Sequence, residues 1–321
     1  MAPENEPTHR DFIYSLRTVT EAAARAAFDW IGRGDKEKGD GAAVDAMRAA
    51  LGTLPLSGVI VIGEGEKDQA PELYKGEELG GGGDRVDIAV DPVEGTSYMA
   101  KGLTNAMATI AVAPRGTMFD PGPAFYMEKF AAAPVAKGLI DMSWSVSRKL
   151  EVLAEILDKR VEDLTVYVLE KPRHRELLAA IHGAGARVAL YPAGDVAGAL
   201  MAAIPGSGID ALMGTGGTPE GVLSACAIRA LGGEFCGRLD PQLTTEKASV
   251  AEAGLDIERW YGVEELAASQ DVMFCATGIT TGLLFDGVAR CGGHYRFQTL
   301  MISGFTGERQ VLTNYLPVVE N

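Results

Sequence analysis

Four carboxylates in this sequence follow short apolar runs that predict buried strands: Glu64 after residues 58–62, Asp91 and Glu94 after residues 86–90, and Glu220 after residues 209–213. Binding groups in α/β proteins gather at the carboxyl ends of strands, so these side chains are candidates for a shared site. Carboxylates that converge repel one another unless cations are bound between them. Oxygen ligands, in a chain with only four histidines, favour Mg²⁺ or Mn²⁺ over zinc or copper.

A hydroxyl and a helix start accompany these acids. Thr96, two residues after Glu94, can orient a water molecule beside a metal, where coordination makes water more acidic. The same residue can instead cap the segment that follows it. Thr218 and Pro219 are typical of an N-cap and a first helical residue, and the acid at position 220 then suits the positive end of the helix. Each motif therefore has a structural alternative, and it is their combination that predicts a metal site.

Two cations and a tyrosine are suited to a phosphorylated ligand. Lys171 and Arg173 follow a predicted strand at residues 165–169. A substrate with two phosphates needs positive charge at both ends, so metal ions can hold one phosphate while these cations hold the other. Simple solvated charge is the alternative for both residues. Tyr126 can contact a ligand, and its alternative is an ordinary place at the edge of the core.

Composition excludes several classes of function. The formal net charge of −15 argues against a nucleic-acid partner, because binding the phosphate backbone requires an excess of Lys and Arg. The first residues are polar and lack the apolar segment of a signal peptide, and apolar runs such as 107–114 are too short to span a bilayer. The four cysteines have no metal-ligand spacing. We therefore expect a cytoplasmic protein with reduced thiols and no membrane partner.

Periodicity predicts an α/β fold, with an α+β first half and a second half of alternating strands and helices on a parallel or mixed sheet. Helices are predicted at about 11–32, 41–51, 174–183, 195–204 and 218–231. Strands are predicted at 58–62, 86–90, 107–113, 165–169, 187–191, 209–213, near 272–275 and near 295–303, with a glycine-rich hairpin signal at 80–83. A chain of 321 residues is expected to form two domains. They are predicted as an N-terminal metal-binding domain at 11–150 and a C-terminal substrate domain at 151–321, after a disordered tail at 1–10.

The segment 91–96, Asp-Pro-Val-Glu-Gly-Thr, resembles the Asp-Pro-x-Asp/Glu-Gly-Thr/Ser signature of the lithium-sensitive, metal-dependent sugar phosphatases. Further segments make the chain similar to the class II fructose-1,6-bisphosphatases over about residues 11–305. Those segments are 32–36, 39–44, 62–68, 125–129, 171–174, 194–197 and 216–221. The resemblance implies a layered α-β-α-β-α sandwich of two domains with the site between them.

The resemblance also implies roles for residues of this chain. Metal ligands are implied at Asp40, Glu64, Asp91 and Glu220. Thr96 is implied as the catalytic threonine, assisted by Lys36 and Asp68. Substrate contacts are implied at Glu94, Gly95, Thr96, Tyr126, Lys171, Pro172, Arg173, Gly194, Asp195 and Gly217. The family commonly has an aspartate at the position of Ala193, and alanine cannot accept a hydrogen bond through its side chain.

The implied reaction is the Mg²⁺- or Mn²⁺-dependent hydrolysis of the 1-phosphate of fructose-1,6-bisphosphate, which yields fructose 6-phosphate and phosphate. Some relatives also cleave sedoheptulose-1,7-bisphosphate, and the sequence leaves that activity open. One rival is a phosphatase of the same superfamily that acts on inositol monophosphates or on adenosine 3′,5′-bisphosphate. Another is a catalytically inactive sensor that binds sugar phosphates. A homodimer or homotetramer is expected from the resemblance alone.

Overall fold

The computed structural model describes residues 9–63 and 73–318. The chain forms two compact units: unit 1 contains the described residues through Thr117 and from Gln270 onward, and unit 2 is Met118–Ser269. This grouping differs from the predicted division after residue 150, because strands near the C-terminus pair with a strand of the first half. Residues 1–8 of the predicted tail lie outside the described residues, and position 9 already begins the first helix.

The helices and strands of the described residues follow the chain in this order. The helices are α1 (His9–Phe28), α2 (Lys36–Leu51), α3 (Thr96–Lys101), α4 (Val146–Leu157), α5 (Arg175–Gly183), α6 (Asp195–Ala203), α7 (Thr218–Leu231), α8 (Thr244–Glu252) and α9 (Val263–Leu266). The first seven strands are β1 (Leu56–Ile62), β2 (Glu78–Leu79), β3 (Asp84–Glu94), β4 (Met107–Pro114), β5 (Tyr126–Ala132), β6 (Thr165–Leu169) and β7 (Arg187–Tyr191). The others are β8 (Ala211–Gly217), β9 (Glu234–Leu239), β10 (Trp260–Gly262), β11 (Met273–Gly278), β12 (Ala289–Cys291), β13 (His294–Ser303) and β14 (Glu308–Pro317).

Unit 1 is built on an eight-stranded sheet in the order β12-β13-β11-β4-β3-β1-β2, with β14 paired to β13. Only β1 and β3 pair in parallel among its described strands. Helix α1 packs on this sheet through Leu16, Val19 and Ala23, which are fully buried and recur at the predicted helical spacing. Helix α2 begins at residue 36, five residues before its predicted start, because Asp35 caps it by accepting a hydrogen bond from Lys38 N (3.1 Å).

Unit 2 is built on a six-stranded mixed sheet in the order β10-β9-β5-β8-β6-β7, with β6 parallel to both β7 and β8. Along β6, Tyr167 packs into an apolar cluster with α6 and α7. Val166 and Val168 point to the other face and pack into a second cluster with α4 and α5. Helices therefore cover both faces of this sheet. The predicted α/β class with a mixed sheet in the second half is confirmed.

Two strands extend further than the sequence predicted, and both carry candidate site residues at their ends. Strand β3 continues past residue 90 to Glu94, and β8 continues past residue 213 to Gly217. Asp91 and Glu94 thus belong to the end of a strand instead of the turn after it. Every helix in the described ranges is too short or too polar to cross a lipid bilayer.

The glycine-rich segment 80–83 is not a hairpin, and here the prediction was wrong. Strands β2 and β3 do not pair with each other but flank β1 on opposite sides, so the segment carries the chain past the start of β1. Gly80 has φ +112°, and a Cβ atom on it would lie 2.1 Å from the carbonyl oxygen of Leu56. Glycine is required at this crossing because no other residue fits both the backbone angle and the contact.

We expect Gly80→Ala to destabilise the protein more than Gly82→Ala does. Both residues have positive φ, but a Cβ on Gly82 would meet nothing within 4 Å. The control should cost the roughly 1–3 kcal/mol of a strained backbone, and Gly80→Ala should exceed it because of the clash with Leu56. Urea unfolding of both variants measures the difference. Equal losses would show that the contact with Leu56 is relieved at no cost.

Candidate active site

The end of β3 holds two acidic side chains close together. A carboxylate oxygen of Asp91 and one of Glu94 lie within 4.8 Å of each other. The register of β3 against β4 shifts between these residues, and Val93 N donates to Asp91 Oδ1 at 3.0 Å. Because the bulge replaces regular strand alternation, both carboxylates can occupy one end of the strand. Two carboxylates at this distance repel each other when both are ionised, and a cation bound beside them removes that cost.

Thr96 follows this pair at a turn that only glycine fits well. Gly95 has φ +83°, and a Cβ on it would lie 2.8 Å from the ring of Tyr98. Thr96 is the first residue of α3, and its Oγ1 donates to Val93 O at 3.1 Å. The helix cap is Gly95 and makes no side-chain hydrogen bond, so the alternative interpretation of Thr96 as an N-cap is wrong. The hydroxyl is instead held against the backbone of β3 at Val93, the residue that precedes Glu94.

Asp40 lies on α2, which packs against α3 and β3. The close packing depends on Gly39, where a Cβ would lie 2.4 Å from Cε of Met99 in α3. The Asp40 side chain is half-buried and has no hydrogen-bond partner within the described residues. Burial raises the pKa of Asp40 to about 6. An ionised carboxylate in this position is costly by itself, and a bound cation offsets that cost.

Two predicted site residues belong to segment 64–72, between the two ranges that the structure describes. Glu64 and Asp68 lie outside the described residues. Strand β1, which precedes them, pairs in parallel with β3, and its last residue, Ile62, is opposite Ala89. Lys36, also predicted to assist catalysis, is the first residue of α2.

In unit 2, the structure brings together two predicted substrate contacts, Tyr126 and Arg173. The Arg173 guanidinium lies 5.1 Å from the centre of the Tyr126 ring. Its Nε and Nη2 donate to Thr215 O at 3.0 and 2.8 Å. These bonds use one edge of the guanidinium and leave Nη1 without a partner among the residues that the structure describes. The cation is therefore oriented before any anion binds.

His174 binds the same residue of β8, Thr215, as Arg173 does. The Nε2 of this buried imidazole accepts a hydrogen bond from Thr215 N at 2.8 Å, so its proton is on Nδ1, which donates to Leu169 O at 2.6 Å. Thr215 Oγ1 donates to Asp240 Oδ2 at 2.6 Å. Burial lowers the pKa of His174, which keeps the ring neutral and able to accept this bond. Three side chains thus hold Thr215 in place.

Gly217 and Glu220 lie where β8 turns into α7. Gly217 is the cross-strand partner of Tyr126, so two predicted substrate contacts are direct neighbours. Gly217 is also the N-cap of α7, the position that the sequence analysis gave to Thr218. Thr218 and Pro219 are therefore the first and second helical residues instead of the cap and the first. A Cβ on Gly217 would lie 1.8 Å from Glu220 Oε2, so the glycine makes room for this carboxylate in the first turn of the helix.

The start of β5 is fixed by a buried carboxylate of α8. Glu246 Oε1 accepts hydrogen bonds from Phe125 N at 2.6 Å and from Tyr126 N at 2.8 Å. Its Oε2 accepts from Gln242 N and Leu243 N, at 2.9 and 3.3 Å. Four backbone amides around one carboxylate anchor the segment that carries Tyr126.

The remaining predicted contacts lie at two helix starts. Lys171 and Pro172 lead into a short 3-10 turn at Pro172–His174. Gly194, with φ +88°, caps α6, and Asp195 is the first residue of that helix. The carbonyl oxygens of residues 193 and 194 both accept from the hydroxyl of Tyr167, at 3.1 and 2.9 Å.

The sequence profile described as "Bacterial fructose-1,6-bisphosphatase, glpX-encoded" matches residues 10–315. The chain belongs to this family. It is 44% identical over 313 residues to fructose-1,6-bisphosphatase 1 class 2 of Escherichia coli strain K12, with 92% of each chain covered. It is also 44% identical over 311 residues to a protein of Acaryochloris marina named D-fructose 1,6-bisphosphatase class 2/sedoheptulose 1,7-bisphosphatase 2, with 89% of each chain covered.

Sequence reasoning had assigned no role in this bisphosphatase-family chain to His174, Thr215, Asp240 or Glu246. His174 belongs to segment 171–174, which resembles the family. The sequence around it, however, does not distinguish a buried histidine that accepts a backbone hydrogen bond from a histidine on the surface. Glu246 sits in a helix start of ordinary composition. His174 and Glu246 bind backbone groups of other elements, and Asp240 binds the Thr215 hydroxyl. Such long-range contacts leave no local sequence pattern.

The neutral state of His174 makes stability depend on pH. Because its pKa in the folded protein is below the ordinary value of 6.5, the unfolded chain binds the proton more tightly. The stabilisation is complete above pH 6.5 and is lost as the pH falls through the lower folded pKa. We expect His174→Gln to lower stability at neutral pH by about 1–3 kcal/mol and to flatten the decline below pH 6.5.

Urea unfolding at several pH values measures this effect. His182→Gln on the exposed surface of α5 is the matched control and should retain the wild-type pH dependence. If the stability of His174→Gln fell below pH 6.5 as steeply as that of the wild type, the pH dependence would come from other groups.

Proposed function

We propose that this protein hydrolyses the 1-phosphate of fructose-1,6-bisphosphate to fructose 6-phosphate and inorganic phosphate, with Mg²⁺ or Mn²⁺ as cofactor. The observation that carries the proposal is the carboxylate pair of Asp91 and Glu94, with the Thr96 hydroxyl fixed against the same strand end. The family assignment and the names of the relatives support the substrate class.

The side chains of unit 1 fit a hard divalent cation. Asp91 and Glu94 present oxygen atoms close together, and Asp40 is a half-buried carboxylate that accepts no hydrogen bond from the described residues. We assign Asp40, Glu64, Asp91 and Glu220 as the metal ligands. When bound, the metal supplies positive charge for the phosphate oxygens and makes a neighbouring water more acidic.

The protein's own groups position the reactants. The Thr96 hydroxyl, held by Val93 O, orients the attacking water, and Lys36 and Asp68 assist it. Glu94 and Gly95 contact the substrate beside the scissile phosphate. Holding water and phosphate in a fixed geometry removes entropy from the barrier before the reaction starts.

The sugar and its distal phosphate are assigned to residues of unit 2. Arg173, oriented by Thr215 O and Tyr126, binds phosphate together with Lys171. Asp195 accepts hydrogen bonds from sugar hydroxyls, and the backbone at Pro172, Gly194 and Gly217 lines the same subsite. Glycine at the last two positions lets a ligand approach the main chain closely.

A second candidate activity is sedoheptulose-1,7-bisphosphate hydrolysis. One specific observation favours it: the Acaryochloris marina relative carries both names. Ala193 bears on this choice, because it offers no side-chain acceptor to a sugar hydroxyl and takes part in the described contacts through its carbonyl oxygen.

We expect phosphate release from fructose-1,6-bisphosphate to require Mg²⁺ or Mn²⁺, to stop with EDTA, and to fall by roughly 10²–10⁴-fold in Thr96→Ala because the attacking water is no longer oriented. Thr104→Ala, which changes an exposed threonine just beyond α3, should retain wild-type activity.

A panel with sedoheptulose-1,7-bisphosphate, inositol monophosphate and adenosine 3′,5′-bisphosphate measures the substrate specificity. No release from any of these esters would instead support the inactive sugar-phosphate sensor.

Metal binding also has a readout that does not involve activity. We expect Mn²⁺ or Mg²⁺ to raise the melting temperature above that in EDTA, since a ligand at 100 times its Kd adds about 2.7 kcal/mol to stability. Asp40→Asn should lose most of this shift. Asp45→Asn, an exposed position of the same helix, should keep it. A full shift in Asp40→Asn would remove Asp40 from the ligand set.

For assembly, we propose a homodimer or homotetramer, on the family resemblance alone. For location, we propose the cytoplasm, as the polar and acidic sequence led us to expect. Light scattering coupled to size-exclusion chromatography measures the mass against the 33.8 kDa of one chain.

A further inference from the structure

Lys129 is a lysine buried inside the sheet of unit 2. It lies in β5, between β8 and β9, and its side chain is only 1% exposed. Its ammonium group makes a hydrogen-bonded ion pair with Asp195 Oδ2. Within the described residues, no other hydrogen bond to this ammonium is present. A buried ammonium is costly unless it is paired, so the two side chains hold each other in place.

The space for this pair is provided by two glycines. A Cβ on Gly216 would lie 2.0 Å from Asp195 Oδ2 and 3.1 Å from Lys129 Nζ. A Cβ on Gly221 would lie 3.0 Å from Lys129 Cε. The ion pair therefore lies directly against the turn from β8 into α7, which carries the proposed substrate contact Gly217.

We propose that Lys129 is a positioning residue for substrate binding. The inference rests on the proposed function, in which Asp195 binds the sugar. By holding Oδ2, the ammonium fixes the carboxylate rotamer and leaves Oδ1 to accept hydrogen bonds from sugar hydroxyls.

The chain contains a matched control on the same strand. Glu128, the preceding residue of β5, points to the other face and forms an ion pair with Arg238 (2.6 Å). Both side chains of that pair are about one-third exposed. Glu128→Gln therefore removes an ion pair from β5 without touching Asp195, and it should leave catalysis unchanged.

The experiment compares steady-state kinetics of the wild type, Lys129→Met and Glu128→Gln at saturating metal, with near-UV circular dichroism as a check of folding. We expect the KM for fructose-1,6-bisphosphate to rise by about tenfold or more in Lys129→Met, because a hydrogen bond to a charged group is lost. The inhibition constant of inorganic phosphate should stay unchanged, since phosphate has no sugar hydroxyls. A purely structural lysine would move both constants together, or neither, and either result overturns the proposal.

A double-variant comparison keeps the test decisive if Lys129→Met does not fold. Replacing both members of a buried ion pair is commonly tolerated better than removing one. If Lys129 acts through Asp195, then Lys129→Met/Asp195→Asn should have the same KM as Asp195→Asn. A further increase in KM would contradict the proposal. An active wild type with an unchanged KM in Lys129→Met refutes this inference alone, whereas a wild type without turnover refutes the proposed function as well.

Discussion

The repulsion between carboxylates at the end of β3 is the constraint that shapes unit 1. Asp91 and Glu94 are held within 4.8 Å at the end of β3, where both residues pair with β4. Asp40 adds a third acid on a helix packed tightly against the same region through Gly39. A protein without a cation would gain stability by moving these groups apart. The arrangement is understandable if part of the free energy of folding is given up to prepare a metal site.

Unit 2 uses a different principle, in which side chains hold the backbone instead of crowding one another. His174, Arg173 and Asp240 all bind Thr215, and Glu246 binds the amides at the start of β5. Gly214 on β8 makes room for His174, because a Cβ atom there would lie 2.9 Å from Nε2 of the ring. Polar groups that are satisfied in this way stiffen a site, because each has only one favourable position. A rigid cradle of this kind suits the proposed role of orienting a flexible sugar with a phosphate at each end.

Much of the fold could be predicted from local patterns. Strands β6 and β7 and helix α7 have the bounds that their patterns indicated, because their apolar residues pack into the clusters on the two faces of the sheet of unit 2. Strand β5 escaped prediction because Glu128 and Lys129 interrupt its apolar pattern, although Lys129 is buried. The glycines at 80–83 indicated a hairpin because a hairpin and a crossing both require positive φ. Only long-range pairing distinguishes the two.

The candidate site shows the same division. Short motifs predicted the residues that would touch metal and substrate, and the described structure puts Asp91 beside Glu94 and Tyr126 beside both Arg173 and Gly217. The residues that support them come from distant parts of the chain: Asp240 lies 25 residues from Thr215, and Glu246 lies 120 residues from Tyr126. No motif spans such distances, so this supporting layer required the three-dimensional structure.

The order of the strands in unit 1 has a consequence for biosynthesis. Strand β4 needs β11 as its neighbour, yet 158 residues separate the last residue of β4 from the first of β11, since 273 − 114 − 1 = 158. All of unit 2 leaves the ribosome in that interval. Unit 2 can therefore complete its own sheet during translation, while β3 and β4 wait with an open edge. The acidic strand end is formed early in synthesis but is locked into a finished sheet only when the last strands emerge.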